Sequence, residues 1–135
     1  MAAEDALLLV GRILFGGVIA FMGLNHFLQT DQMTGYAQHK GLPAPKLSVL
    51  ASGALLVLGG LGIVAGAFPV LAGVAVAGFL LVSAVTMHDF WAVPDEQQQD
   101  EMTQFLKNVA LAGGALGIAA FGLSPWAYSV AVSLF

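Results

Sequence analysis

The residues able to do chemistry are few, and most fall at the edges of long apolar stretches. Asn25 and His26 close the first stretch, His88 and Asp89 close the third ahead of Phe90 and Trp91, and Lys107 and Asn108 sit a turn or more inside the fourth. The connection after the first stretch adds Tyr36, His39 and Lys40. Histidine titrates near neutrality and passes protons, and a lysine ammonium stabilises negative charge developing on an oxygen. Polar groups inside a membrane are costly and commonly functional. Asn25, His26, His88, Asp89, Trp91, Lys107 and Asn108 are therefore the candidate ligand-binding residues, expected to converge on one pocket at one end of a helical bundle. No catalytic residue is assigned.

Two readings compete for these groups. Lys107 either snorkels to the interface or faces the interior, paired with Asp89 or hydrogen-bonded to His26 or His88. A histidine at a helix end is an interfacial anchor in many proteins, but His26 and His88 at matched depth, with a lysine and an asparagine at their level, point to a site. No metal is assigned: no His-x-x-x-His spacing puts two ligands on one helix face, and a nearby lysine would repel a cation. Arg12 stands apart, roughly 21 Å before His26 along a helix. Its expected role is structural, snorkelling outward or donating to carbonyls near Gly66 or Ser124. The glycines lie within apolar stretches and form no phosphate-binding loop, and no nucleophile stands beside a base at a known spacing.

The elements that must position these residues follow from hydropathy. Of the 135 residues, 59% are hydrophobic and 9% charged, against about 25% charged in a soluble domain. From Leu47 through Met87 no residue carries a charge. That run would be roughly 60 Å long as one helix, twice a hydrocarbon core of roughly 30 Å, so it must turn back. Gly66-Ala67-Phe68-Pro69 is the reversal, since glycine caps a helix and proline cannot continue one. The expected fold is all-α: a transmembrane four-helix bundle forming a single membrane domain over 1–135. Its spans are near 5–28, 46–67, 70–88 and 102–122, its polar loops are 29–45 and 89–101, and a short tail follows the fourth span.

Four spans put both termini on one side, side A, and the two polar loops on the other, side B. Lys40, Lys46 and Lys107 lie near side B and Arg12 nearer side A, so the positive-inside rule places side B in the cytoplasm. Glu4 and Asp5 replace the basic start of a signal peptide, so the first helix is expected to be retained. The net charge of −4 leaves no basic patch for nucleic acid, and the absence of cysteine excludes thiol chemistry within the chain.

Lipid does not drive helices together by hydrophobicity; close backbone approach at small residues does. The faces expected to meet inside carry Gly16 and Gly23 in span one, Ser48, Ser52, Leu55, Gly59, Gly62 and Gly66 in span two, Gly73, Ala77, Leu81 and Ala84 in span three, and Gly113, Gly114 and Gly117 in span four, with Ala110, Ala112, Ala115 and Ala119 nearby. The tail, with Trp126 and Tyr128, is expected either along the side A interface or packed on a neighbouring subunit.

With these pieces in view, the chain resembles the DoxX family of small four-span membrane proteins. The matching segments are Gly11-Arg12-Ile13-Leu14 with Gly16, Gly23-Leu24-Asn25-His26-Phe27, Gly41-Leu42-Pro43, His88-Asp89-Phe90-Trp91, and Gln104-Phe105-Leu106-Lys107-Asn108-Val109-Ala110-Leu111. The resemblance implies the membrane subunit of a redox system, either quinone-linked or serving oxidative-stress defence, in the plasma membrane. It would have no intrinsic cofactor, a quinone as ligand, and electrons supplied by a protein partner. His26 or His88 would bond a quinone carbonyl and relay protons, Lys107 would stabilise its negative charge, and Trp91 or Phe90 would stack on the ring. The alternatives are a non-catalytic scaffold or assembly protein, with a protein partner or a second copy bound, and a small transporter or channel.

Overall fold

Proline and glycine set the helix boundaries. In the computed structural model, which describes residues 2–134, α1 spans Ala3–Leu28, α2 Thr30–His39, α3 Pro45–Ala65, α4 Pro69–Met87 and α5 Asp95–Phe121, with a 3-10 turn at Phe90–Ala92. Pro45 and Pro69 each open a helix, where a missing N–H costs nothing. Gly66 ends α3 with φ 75°, a left-handed position that glycine adopts without strain. Four stretches are long and apolar enough to cross a membrane: Ala3–Leu28, Pro45–Ala65, Pro69–Ala92 and Asp95–Phe121. The chain is an all-α integral membrane protein.

Both connections expected as loops contain helix. Residues 29–45 hold α2, which buries Ala37 and packs along α3. Its short apolar face, Met33 with Tyr36 and Ala37, was masked by the polar residues around it. Residues 89–101 hold the 3-10 turn and the first two turns of α5. There Asp95 and Glu96 sit where the helix dipole favours negative charge, and the acidic run is the exposed start of a helix rather than a free loop.

Two close helix pairs make the frame. In the α1–α3 pair, a methyl group at Gly16 would come within 2.5 Å of the Gly60 carbonyl oxygen, and one at Gly23 within 2.7 Å of the Gly53 carbonyl oxygen. In the α4–α5 pair, Gly73 lies against the Ala115 carbonyl and Ala119. α3 and α4 join the two pairs, with Gly59 facing Val76. Leu56, Ile63, Val76 and Leu80 are enclosed where the pairs meet. On α5 the expected alanines, Ala110 excepted, meet the bundle and the expected glycines do not. The helix packs through Ala112, Ala115 and Ala119, while Gly113 and Gly117 meet nothing within 4 Å and Gly114 meets only the Phe15 ring at 3.7 Å. The alanines, one position away, already allow close approach, so the glycines are turned outward.

Candidate functional site

At the end of the bundle carrying α2, three segments bring titratable groups together. α4 stops at Met87, and His88 and Asp89 follow in non-helical backbone that leads into the 3-10 turn. Early α5 presents Glu101, and α2 crosses above with Tyr36 and Lys40 at its end. Glu101 joins two of these segments: one carboxylate oxygen pairs with His88 Nδ1 at 3.0 Å, and the other accepts the Tyr36 hydroxyl at 3.3 Å. Tyr36 also reaches the Met87 carbonyl at 3.1 Å. Lys40 Nζ donates to Asp89 Oδ1 at 2.6 Å and lies 5.7 Å from the centre of the Tyr36 ring. Beside this network Phe90, Trp91 and Phe105 stack edge to face, with ring centres 5.2–5.8 Å apart. Trp91 is 55% exposed, placing an amphipathic ring where an interface would lie.

The sequence-predicted residues divide. His88, Asp89 and Trp91 gather here, but His26 turns the other way. Its Nδ1 lies 3.0 Å from both the Val49 carbonyl and Ser52 Oγ on α3, and its ring meets Phe79 edge-on at 6.2 Å. A carbonyl only accepts, so His26 carries its proton on Nδ1. Asn108, 5% exposed, faces α4 and bonds Ser83 Oγ at 3.5 Å. Asn25 is half-buried, and its backbone carbonyl accepts the amide that ends α1. Lys107 is exposed and pairs with neither Asp89 nor a histidine. No group of three His, Asp or Glu side chains suited to a metal occurs among the described residues.

Glu101 is the member of this network that sequence reasoning missed. The signal was there: Glu101, Phe105, Asn108, Ala112, Ala115 and Ala119 follow one another at helical spacing along the face that meets α4. Counting Glu101 among the acidic loop residues hid it.

The Lys40–Asp89 pair ties α2 to the end of α4. Burial alone lowers the pKa of Lys40, but the hydrogen bond to Asp89 and the nearby acidic groups outweigh it and hold the ammonium above an ordinary lysine. Burial, and then the charge of Glu101, raise the Tyr36 phenol. A folded-state pKa raised for Lys40 means that the tie is complete below the ordinary lysine value of 10.5 and fades as pH climbs through the higher folded value. The chain has no cysteine, so a spin label on a cysteine replacing exposed Gln38 reports the motion of α2. Its mobility is expected to stay flat from neutral pH to about 10 and rise beyond that. Lys40→Gln is expected to loosen α2 from neutral pH to about 10, where the wild-type tie is intact, removing on the order of 1 kcal/mol.

At the opposite end, Arg12 is 1% exposed and has no carboxylate partner among the described residues. Its guanidinium donates to the carbonyls of Ile63 at 3.2 Å, Val64 at 2.7 Å, Ala127 at 2.9 Å and Tyr128 at 2.9 Å, and lies 4.9 Å from the Trp126 ring centre. The tail folds onto the α3–α4 reversal: Val130 N–H donates to the Ala65 carbonyl, Phe68 N–H to the Val132 carbonyl, and Ser129 Oγ to the Gly66 carbonyl. The last carbonyls of a helix lack partners within it, and here Arg12 and the tail supply them. Phe135 lies outside the described residues.

The architecture defines a class, the small multi-pass membrane protein built almost entirely of spanning helices. The DoxX family profile matches residues 7–89. The chain belongs to the DoxX family. It is 29% identical over 121 residues to "Inner membrane protein YphA" of Escherichia coli (strain K12), an alignment covering 90% of this chain and 86% of YphA. No solved structure matches the chain.

Proposed function

We propose that this chain is the membrane subunit of a redox system of the plasma membrane, quinone-linked, with electrons delivered by a protein partner. The inner-membrane location of YphA supports the compartment. The observation that carries the reading is the Glu101 carboxylate bonded to both His88 and Tyr36 beside the Phe90–Trp91–Phe105 cluster. Reducing a quinone to a quinol consumes two electrons and two protons. Electrons come from the partner, and the protons need titratable groups between water and the membrane interior. Histidine and carboxylate in contact are suited to that transfer.

The test is quinone reduction in membranes of the source organism, where the native partner is present. A deletion strain complemented with Glu101→Gln is expected to reduce added quinone about 100-fold more slowly than one complemented with the wild type. Equal rates in the deletion and wild-type strains would remove the reading.

A second reading, a non-catalytic scaffold, is favoured by the way His88, Glu101, Tyr36, Lys40 and Asp89 satisfy one another and fasten α2 to the bundle. On that reading Glu101→Gln and Lys40→Gln weaken folding and leave quinone reduction unchanged.

A further inference from the structure

α1 and α5 flank each other without close packing. Between them runs a groove of about 360 Å³. Gly11, Leu14, Phe15, Val18 and Met22 form its α1 wall, and Leu111 forms its α5 wall. In a protein that spans the bilayer, such a groove opens to the hydrocarbon. Its size lies at the lower end of the roughly 300–1,000 Å³ of small-molecule clefts, which suits one chain rather than two.

Helical geometry fixes what stands at the end of this groove. Phe15 lies against Gly114, and the two helices run in opposite directions. Moving seven residues along α1 and seven back along α5 therefore brings Met22 and Lys107 to about the same level, roughly 10 Å nearer the α2 end. One further turn on the groove face of each helix places Asn25 on α1 and Gln104 on α5. Asn25 and Gln104 are half-buried and Lys107 is exposed. None of the three side chains has a hydrogen-bond or ionic partner among the described residues. An apolar slot thus ends in three unengaged side chains, each carrying N–H donors.

We infer that this groove is a lateral binding site for a quinone, its single apolar tail lying between α1 and α5 and its ring carbonyls received by Lys107, Asn25 and Gln104. The inference rests on the redox reading above and places its ligand. The donors complement carbonyl oxygens, which only accept, and the lysine charge favours the oxygen that becomes negative on reduction. Glu101 is one helical turn from Gln104, which sets the His88–Glu101–Tyr36 chain beside the head for proton delivery.

The experiment is equilibrium binding to the purified full chain in nanodiscs of zwitterionic lipid. The probes are a quinone with a four-isoprene tail and the same ring without a tail. A methyl at Gly11 meets open space and Val18 is exposed, so the double variant Gly11→Leu/Val18→Phe fills the groove without disturbing the fold. It is expected to weaken the long-tailed probe about tenfold by steric exclusion and to leave the tail-less ring unchanged. Lys107→Gln is expected to weaken both probes about tenfold, as loss of a charged hydrogen bond does. Equal binding of the long-tailed probe by the wild type and the groove variant overturns the groove and leaves the redox reading standing. No binding of either probe by the wild type overturns both. A co-purifying phospholipid lost from the groove variant, or a disulfide-linked dimer through Val18→Cys, overturns the quinone as occupant.

Discussion

Arg12→Met is expected to detach the tail and remove about 4 kcal/mol of stability, a large share of what a small bundle possesses. The reason is an accounting of carbonyls. The Gly62 carbonyl is met by the Ala67 amide, but those of Ile63 and Val64 are met by Arg12, that of Ala65 by Val130, and that of Gly66 by Ser129. Methionine fills similar volume and donates nothing, leaving buried carbonyls at Ile63 and Val64 without partners, each at a cost of about 1–3 kcal/mol. The tail loses its anchors at Ala127 and Tyr128 in the same step. The positive charge also complements the negative end of α3. Lysine, a single point of donation, should recover only part of the loss. Unfolding by sodium dodecyl sulfate, followed through Trp126, measures it. A midpoint for Arg12→Met equal to the wild type would show that the tail stands without the guanidinium.

Gly60→Ala should be nearly as damaging, although it adds one methyl. That methyl would lie 2.5 Å from the Gly16 carbonyl oxygen, 2.6 Å from the Ala20 amide nitrogen and 2.9 Å from the Ala20 methyl. Two of these neighbours are backbone, so no rotamer change relieves the contact and α1 must move off α3. A loss of about 3 kcal/mol is expected, the upper range for overpacking. Gly17→Ala is the matched control. It lies on α1 with nothing within 4 Å, and alanine there should stabilise by up to about 1 kcal/mol through helix propensity. The same detergent titration ranks the three proteins. Equal midpoints for Gly60→Ala and Gly17→Ala would remove close backbone contact as the force joining α1 to α3.

Much of the frame was legible because apolar length and the proline–glycine reversal at Gly66–Pro69 leave few alternatives in a bilayer. Gly16 and Gly23 were also placed correctly, since their seven-residue spacing puts both on one face. The partner glycines on α3 were not: Gly53 and Gly60 meet α1, while Gly59 turns to α4. α3 is small and apolar on every side, so periodicity cannot say which face meets which neighbour. His26 was misdirected for a related reason, and the choice between the two directions of Lys107 stayed open. Equal depth along the membrane says nothing about direction around a helix, and in the fold His26 turns toward Ser52 and Lys107 outward. Glu101 was lost to composition, because an acidic run hides a residue that belongs to a packed face.

The tail's grip on the α3–α4 reversal carries a consequence for biogenesis. The amide of Val130 and the carbonyl of Val132 bond Ala65 and Phe68, which are made well before them. The end of α3 therefore waits, with carbonyls unmet, until the segment after α5 has been made. Docking of that segment, rather than insertion of any one helix, completes the fold, and a premature stop just after α5 would leave an inserted but unsealed bundle for quality-control proteases.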